Sequence, residues 1–96
     1  MICTFVVDGI DRYTIEICSS GHYFTLHAVN YPPNHHGGGV TDHHLYTSGK
    51  ICVSDGHEPR TIERAKAIAM SWCEGWSKYI RGYAFPNGAK RVNVNS

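Results

Sequence analysis

No apolar run in this sequence approaches the ~20 residues that a membrane-spanning helix requires, so no bilayer crossing is expected. Surplus positive charge is also missing. Nine Lys plus Arg face eight Asp plus Glu, a formal net charge of +1. Binding by phosphate neutralisation calls for a clear basic excess, so nucleic acid is not an expected partner. There is no Cys-x-x-Cys pair: Cys3, Cys18, Cys52 and Cys73 lie far apart. Met1-Ile2-Cys3-Thr4 opens no secretory signal, which favours four reduced thiols in a cytoplasmic protein over two disulfides. Internal repeats are absent, and 96 residues are too few to divide between two cores. A single domain over residues 1–87 with a polar tail at 88–96 is expected.

Hydrophobic residues make up 42% and charged residues 18% of the chain, the balance of a folded globular protein. Ile2 to Val7 is β-branched and aromatic, and Asp8-Gly9 supplies a turn. Tyr13, Ile15 and Ile17 alternate with Thr14, Glu16 and Cys18, the period of a half-exposed antiparallel strand. Ser19-Ser20-Gly21 turns the chain, and Tyr23 to Val29 alternates again. Short connections make these three strands an antiparallel meander. His22 suits the turn, and His27 falls in the third strand, facing solvent or a polar partner.

From Tyr31 to Gly49 the alternation stops. Tyr31-Pro32-Pro33-Asn34 cannot continue a ladder, and Gly37-Gly38-Gly39 carries no side chains. A loop of this length in a small domain is commonly functional. Lys50-Ile51-Cys52-Val53 is expected to dock against the sheet, with Ser54 to Glu58 as a turn. Pro59 favours the first turn of a helix. Ile62, Ala65, Ala69, Trp72, Trp76, Tyr79 and Tyr83 recur at steps of three and four, giving an apolar stripe on a helix from about Glu58 to Arg81. The two tryptophans are expected in the core, and Gly75 is expected to weaken or bend the helix. Pro86-Asn87-Gly88 is expected to end ordered structure. The fold class is α+β, an antiparallel β-meander, an active-site loop and one long C-terminal helix.

Cys52 closes the histidine- and glycine-rich loop. A thiol acts as a nucleophile when its thiolate is reachable and polar groups stand nearby. His43, His44 and His57 are near it in sequence. The alternative for any such cysteine is an inert buried thiol.

Residues 31 to 53 resemble the ubiquitin-conjugating enzyme family, in particular its compact bacterial-type members. The resemblance rests on Tyr31-Pro32-Pro33, on Asp42-His43-His44 where the family has His-Pro-Asn, and on Gly49-Lys50-Ile51-Cys52 where it has Gly-x-Ile-Cys. His44 stands eight positions before Cys52 and Gly49 three before, as in the family. His44 replaces the family's asparagine and Asp42 its histidine. No helix-forming segment precedes the meander, and one helix follows where the family has several. The resemblance implies a minimal fold of that family and a transferase that takes a ubiquitin-like modifier from an activating enzyme. Cys52 would hold it as a thioester and pass it to a target amine. His44 would then brace the loop or donate to the oxyanion, and Asp42, Asp55 and His57 are the candidates for orienting or deprotonating the amine. No cofactor is implied. Such proteins stand beside an activating enzyme, a modifier and a deconjugating peptidase in antiphage systems.

Three other readings stay open at this point. One is a non-catalytic binding module of the same fold, although retention of the cysteine argues against it. Another is a metal site drawn from His35, His36, His43, His44 and Cys52, limited because adjacent histidines on an extended segment point opposite ways. A cysteine hydrolase is the third, and it lacks a recognisable third orienting residue.

Overall fold

Alternating burial along the first thirty residues builds the sheet. In the computed structural model β1 (Ile2–Val7), β2 (Asp11–Ser19) and β3 (Phe24–Asn30) form an antiparallel sheet in the order β1-β2-β3. Residues 1–54 and 56–85 are described. Asp55, the expected Pro86-Asn87 end of the domain and the expected tail at 88–96 lie outside the described residues. Tyr13, Ile15 and Ile17 point into the core from β2, and Leu26 and Ala28 join them from β3. The β2–β3 register steps from Ile15↔Ala28 to Thr14↔Asn30, a bulge that leaves Val29 exposed. Tyr23 falls outside the third strand, since Ser20 N–H donates to its carbonyl in the turn.

The core-facing side of the sheet is covered by α2 (Ile62–Tyr79), so the class is α+β, with the long C-terminal helix in place. Its buried positions are Ala65, Ile68, Ala69, Trp72, Cys73, Gly75, Trp76 and Ser77. The helix starts later than Pro59 led us to expect. Pro59 is buried, and its carbonyl accepts from Phe24 N–H at 2.8 Å, so the segment before the helix is committed to the start of β3. Thr61 caps the helix instead, its hydroxyl accepting from Arg64 N–H at 3.1 Å. At the other end the helix stops at Tyr79, and Tyr83, expected on the apolar stripe, is exposed beyond it.

The helix is pinned to the sheet by a polar cluster at its C-terminal end. Arg81 makes a two-pronged ion pair with Asp11, 2.6 Å from Nη1 to Oδ2 and 3.0 Å from Nη2 to Oδ1, and also donates to the Ser77 carbonyl. Ser77 Oγ shares a hydrogen bond with the Tyr13 hydroxyl beneath. The Arg81 guanidinium holds the Asp11 carboxyl below its ordinary range against the opposing effect of burial. Burial pushes the Tyr13 phenol up. Among the described residues no helix is long and apolar enough to cross a membrane.

Candidate active site

The segment between β3 and α2 holds more structure than its composition announces. A short helix, α1 (Val40–His43), is capped at its start by the Asp42 carboxylate, which accepts from Gly39 N–H at 2.9 Å. After α1 the chain makes a tight hairpin. Tyr46 N–H donates to the Lys50 carbonyl at 2.9 Å, and Cys52 N–H donates to the His44 carbonyl at 2.8 Å, so Leu45 and Ile51 form a bridge. The second arm lies along the free edge of β3, through Ala28 N–H to Gly49 O and Ile51 N–H to Leu26 O, both 2.8 Å. The expected docking of Lys50–Val53 on the sheet is therefore an edge pairing. Gly49 is needed there: its φ is +93°, and a Cβ would stand 3.3 Å from the Ala28 carbonyl oxygen.

This hairpin carries two chemistries on two faces. Leu45 and Ile51 are buried in the core. Tyr46 and Cys52, one step out of phase with them, come together on the other face, with the Tyr46 hydroxyl 3.6 Å from Cys52 Sγ and positioned to donate to it. Cys52 is a free, half-buried thiol, and the eight-residue offset between His44 and Cys52 is the span across the hairpin.

His44 ends α1 in the left-handed region, φ 59°, and its ring meets Phe85 edge to face with centroids 4.9 Å apart. Phe85 returns from beyond α2 to sit directly on Gly75. A Cβ at 75 would lie 2.6 and 2.8 Å from its Cε1 and Cε2. Gly75 thus serves as a socket within an unbroken helix, in place of the expected bend.

The remaining candidates occupy separate places. His43 is buried, its ring edge-on to Trp76 and Tyr79 at centroid distances of 5.3 and 5.5 Å. Its Nδ1 accepts from Leu45 N–H at 3.3 Å, so that nitrogen carries no proton. His57 sits half-buried after the turn closed by His57 N–H to Ser54 O, in a recess of about 380 Å³ with Arg60, Thr61 and Arg64 at the start of α2. Asp42 spends its carboxylate on the α1 cap. Asp55 lies outside the described residues. The structure therefore brings Cys52 and His44 together across a ladder, whereas the contacts of Asp42 and His43 lie on α1 and α2.

The long loop is held by indole and phenol donors from α2. Trp72 Nε1 donates to the His43 carbonyl at 3.0 Å, Trp76 Nε1 to Pro32 O at 2.9 Å and the Tyr79 hydroxyl to Gly37 O at 2.8 Å. His36 Nε2 meets Ile80 O at 2.7 Å. The expected core role of the tryptophans holds, and their polar ends also fix the backbone that carries His44. These same contacts disperse the histidines. Among the described residues no three His, Cys, Asp or Glu side chains are grouped so as to hold a metal ion, which leaves the metal alternative without a ligand set. His27 takes a polar partner, Thr25 Oγ1, at 3.1 Å.

The four thiols differ in access. Cys73 is fully buried, and desolvation with a smaller push from Glu74 raises its thiol to about 12. That leaves Cys3, Cys18 and Cys52 half-buried, and of these Cys52 receives the tyrosine hydroxyl. Tyr46 and Phe85 are the site residues that sequence reasoning missed. Tyr46 was findable, because Leu45 and Ile51 share the core-facing phase of a hairpin and Tyr46 and Cys52 share the other. No local signal marks Phe85. No protein-family model, curated protein or solved structure matches this chain.

Proposed function

We propose that this chain is a ubiquitin-conjugating-like transferase in which Cys52 accepts the C-terminus of a ubiquitin-like modifier as a thioester and passes it to an amine. The observation that carries this reading is the hairpin. The backbone bond between Cys52 and His44 sets the Gly-x-Ile-Cys segment opposite residue 44, and a half-buried free thiol faces a phenolic donor. Family resemblance in residues 31 to 53 supplies the identity of the acyl group, and the α+β meander with its long C-terminal helix is compatible with it.

Acyl exchange between thiols is close to balanced in free energy, so the demands on the protein are positioning and stabilisation of a tetrahedral oxyanion. The thiolate of Cys52 attacks the carbonyl carbon of the thioester on the activating enzyme. A new S–C bond forms, the old one breaks, and the donor cysteine leaves as a thiolate. In the second step an amine attacks the Cys52 thioester and loses a proton, and Cys52 is released. A carrier of this kind requires reduced thiols, and we assign it to the cytoplasm, in an antiphage conjugation pathway. Its partners are then the modifier, the activating enzyme and the target amine.

The test is reconstitution with ATP and the products of the genes neighbouring its own, followed by non-reducing electrophoresis. An adduct removed by thiol reductant, and absent or reductant-stable in Cys52→Ser, supports the reading. Absence of any adduct with an active activating enzyme present contradicts it.

A further inference from the structure

We propose that Tyr46 is a catalytic residue of this site, the hydrogen-bond donor to the oxyanion formed when Cys52 exchanges an acyl group. This rests on the reading of Cys52 as an acyl carrier and adds a residue to which that reading gives no role.

The argument starts from the ladder. Residues 46 and 52 lie on opposite arms of the hairpin and in the same phase, so both side chains leave the face away from the core. The phenol spans the offset between them, and its hydroxyl rests 3.6 Å from Sγ. Tyr46 itself is 44% exposed, so an incoming carbonyl can approach the same edge.

A thiol or thioether sulfur is a weak acceptor, whereas an oxyanion is a strong one. The carbonyl oxygen of an acyl group on Cys52 stands two bonds from Sγ. A hydroxyl already touching the sulfur reaches that oxygen when its O–H turns about the Cζ–Oη bond and the half-exposed side chain swings slightly about Cα–Cβ. Donation to the resting thiol or to the thioester sulfur is weak, and as the thiolate attacks, the negative charge passes from sulfur to oxygen and the hydroxyl follows it. A hydrogen bond made to the oxyanion itself is the condition for lowering a barrier rather than merely binding substrate. During the step the thiolate forms its bond to carbon while the carbonyl electron pair moves to oxygen. Tyr46 donates its hydrogen bond without giving up the proton. The pair then returns and the donor thiolate departs. His44 lies across the ladder, its ring packed edge-on against Phe85, and its carbonyl accepts from Cys52 N–H, a bond that keeps the two arms in register.

The experiment uses the whole chain, with the thiophenyl ester of acetylglycylglycine as acyl donor and iodoacetamide as a control electrophile. Adducts on Cys52 are quantified by peptide mass spectrometry. Acyl transfer passes through an oxyanion and alkylation does not. Tyr46→Phe is expected to slow acyl transfer about tenfold, below the range for enclosed oxyanion sites because this one is open to water. Alkylation is expected to change by about threefold or less, since shifts in thiolate population and in nucleophilicity partly cancel. Equal slowing of both reactions, or slowing of neither, would overturn the assignment of Tyr46. Wild-type Cys52 inert to the thioester would overturn that assignment and the acyl-carrier reading together. Neither modifier nor activating enzyme enters this assay, so failure at Tyr46 alone stays separable from failure of the proposed function. Removal of a hydroxyl from a half-exposed ring leaves the hairpin ladder intact, which denaturation followed by tryptophan fluorescence will check.

Discussion

Gly75→Ala tests whether Phe85, and through it His44, is seated as described. Ala is the better residue inside a helix by about 1 kcal/mol, and α2 runs through position 75 without interruption. Opposing this, a Cβ at 75 overlaps the Phe85 ring, with Cε1 at 2.6 Å and Cε2 at 2.8 Å. The ring must leave. It is half-buried, so its displacement forfeits about 1 kcal/mol of apolar burial. The edge-to-face pair with His44 adds about 1 kcal/mol more. The net expectation is destabilisation by about 1 kcal/mol, a drop in Tm of roughly 4–8 °C for a domain of this size. In a Phe85→Ala background the obstacle is gone. There the same Gly75→Ala change is expected to stabilise by about 1 kcal/mol. This inversion of sign is a coupling that a double-mutant cycle measures directly. Urea denaturation, followed by the fluorescence of the buried Trp72 and Trp76, reads all four proteins. Equal effects of Gly75→Ala in the two backgrounds would refute the socket and the seating of His44 that depends on it.

Two further predictions concern titration. The Asp11 carboxyl is held below its ordinary value of 3.8 by Arg81, so its contribution to stability is present above that value and is lost as pH falls through the lowered one. Asp11→Asn is expected to lower stability at neutral pH and to flatten the acid limb of the stability curve below about pH 4, as measured by denaturant midpoints. An unchanged acid limb would count against the Arg81 pairing. The buried Cys73 thiol titrates at about 12 instead of 9.0. The unfolded chain then ionises first, and stability is expected to decline as pH rises from about 9 toward about 12. Iodoacetamide should leave Cys73 unmodified in the native protein and label it once denaturant is added, and native labelling would contradict its burial.

Much of the fold was legible because its signals are local. Tyr13, Ile15 and Ile17 alternate without exception, and the apolar steps from Ala65 to Trp76 leave one helical face. The helix start was misplaced because Pro59 has the right backbone geometry for a first turn, but its carbonyl is needed by Phe24 on β3. That is a tertiary demand. The α1 turn was hidden by its four-residue length and by two β-branched residues, Val40 and Thr41. At the site, the offset between His44 and Cys52 was readable because a tight hairpin converts spacing into pairing. Asp42 and His43 lay beside it in sequence, yet α1 turns them away, one toward its own cap and the other toward Trp76 and Tyr79. Phe85 arrives from more than thirty positions downstream of Cys52 and was invisible to any local pattern.

The most direct measurement is peptide-level mass spectrometry on the product formed with a charged activating enzyme, before and after mild hydroxylamine. The account predicts that the modifier's C-terminal residue is joined to the Cys52 peptide through a hydroxylamine-labile bond, with Cys3, Cys18 and Cys73 unmodified. A modifier joined to another cysteine or held by a stable amide, with Cys52 recovered as free thiol throughout the reaction, would contradict it.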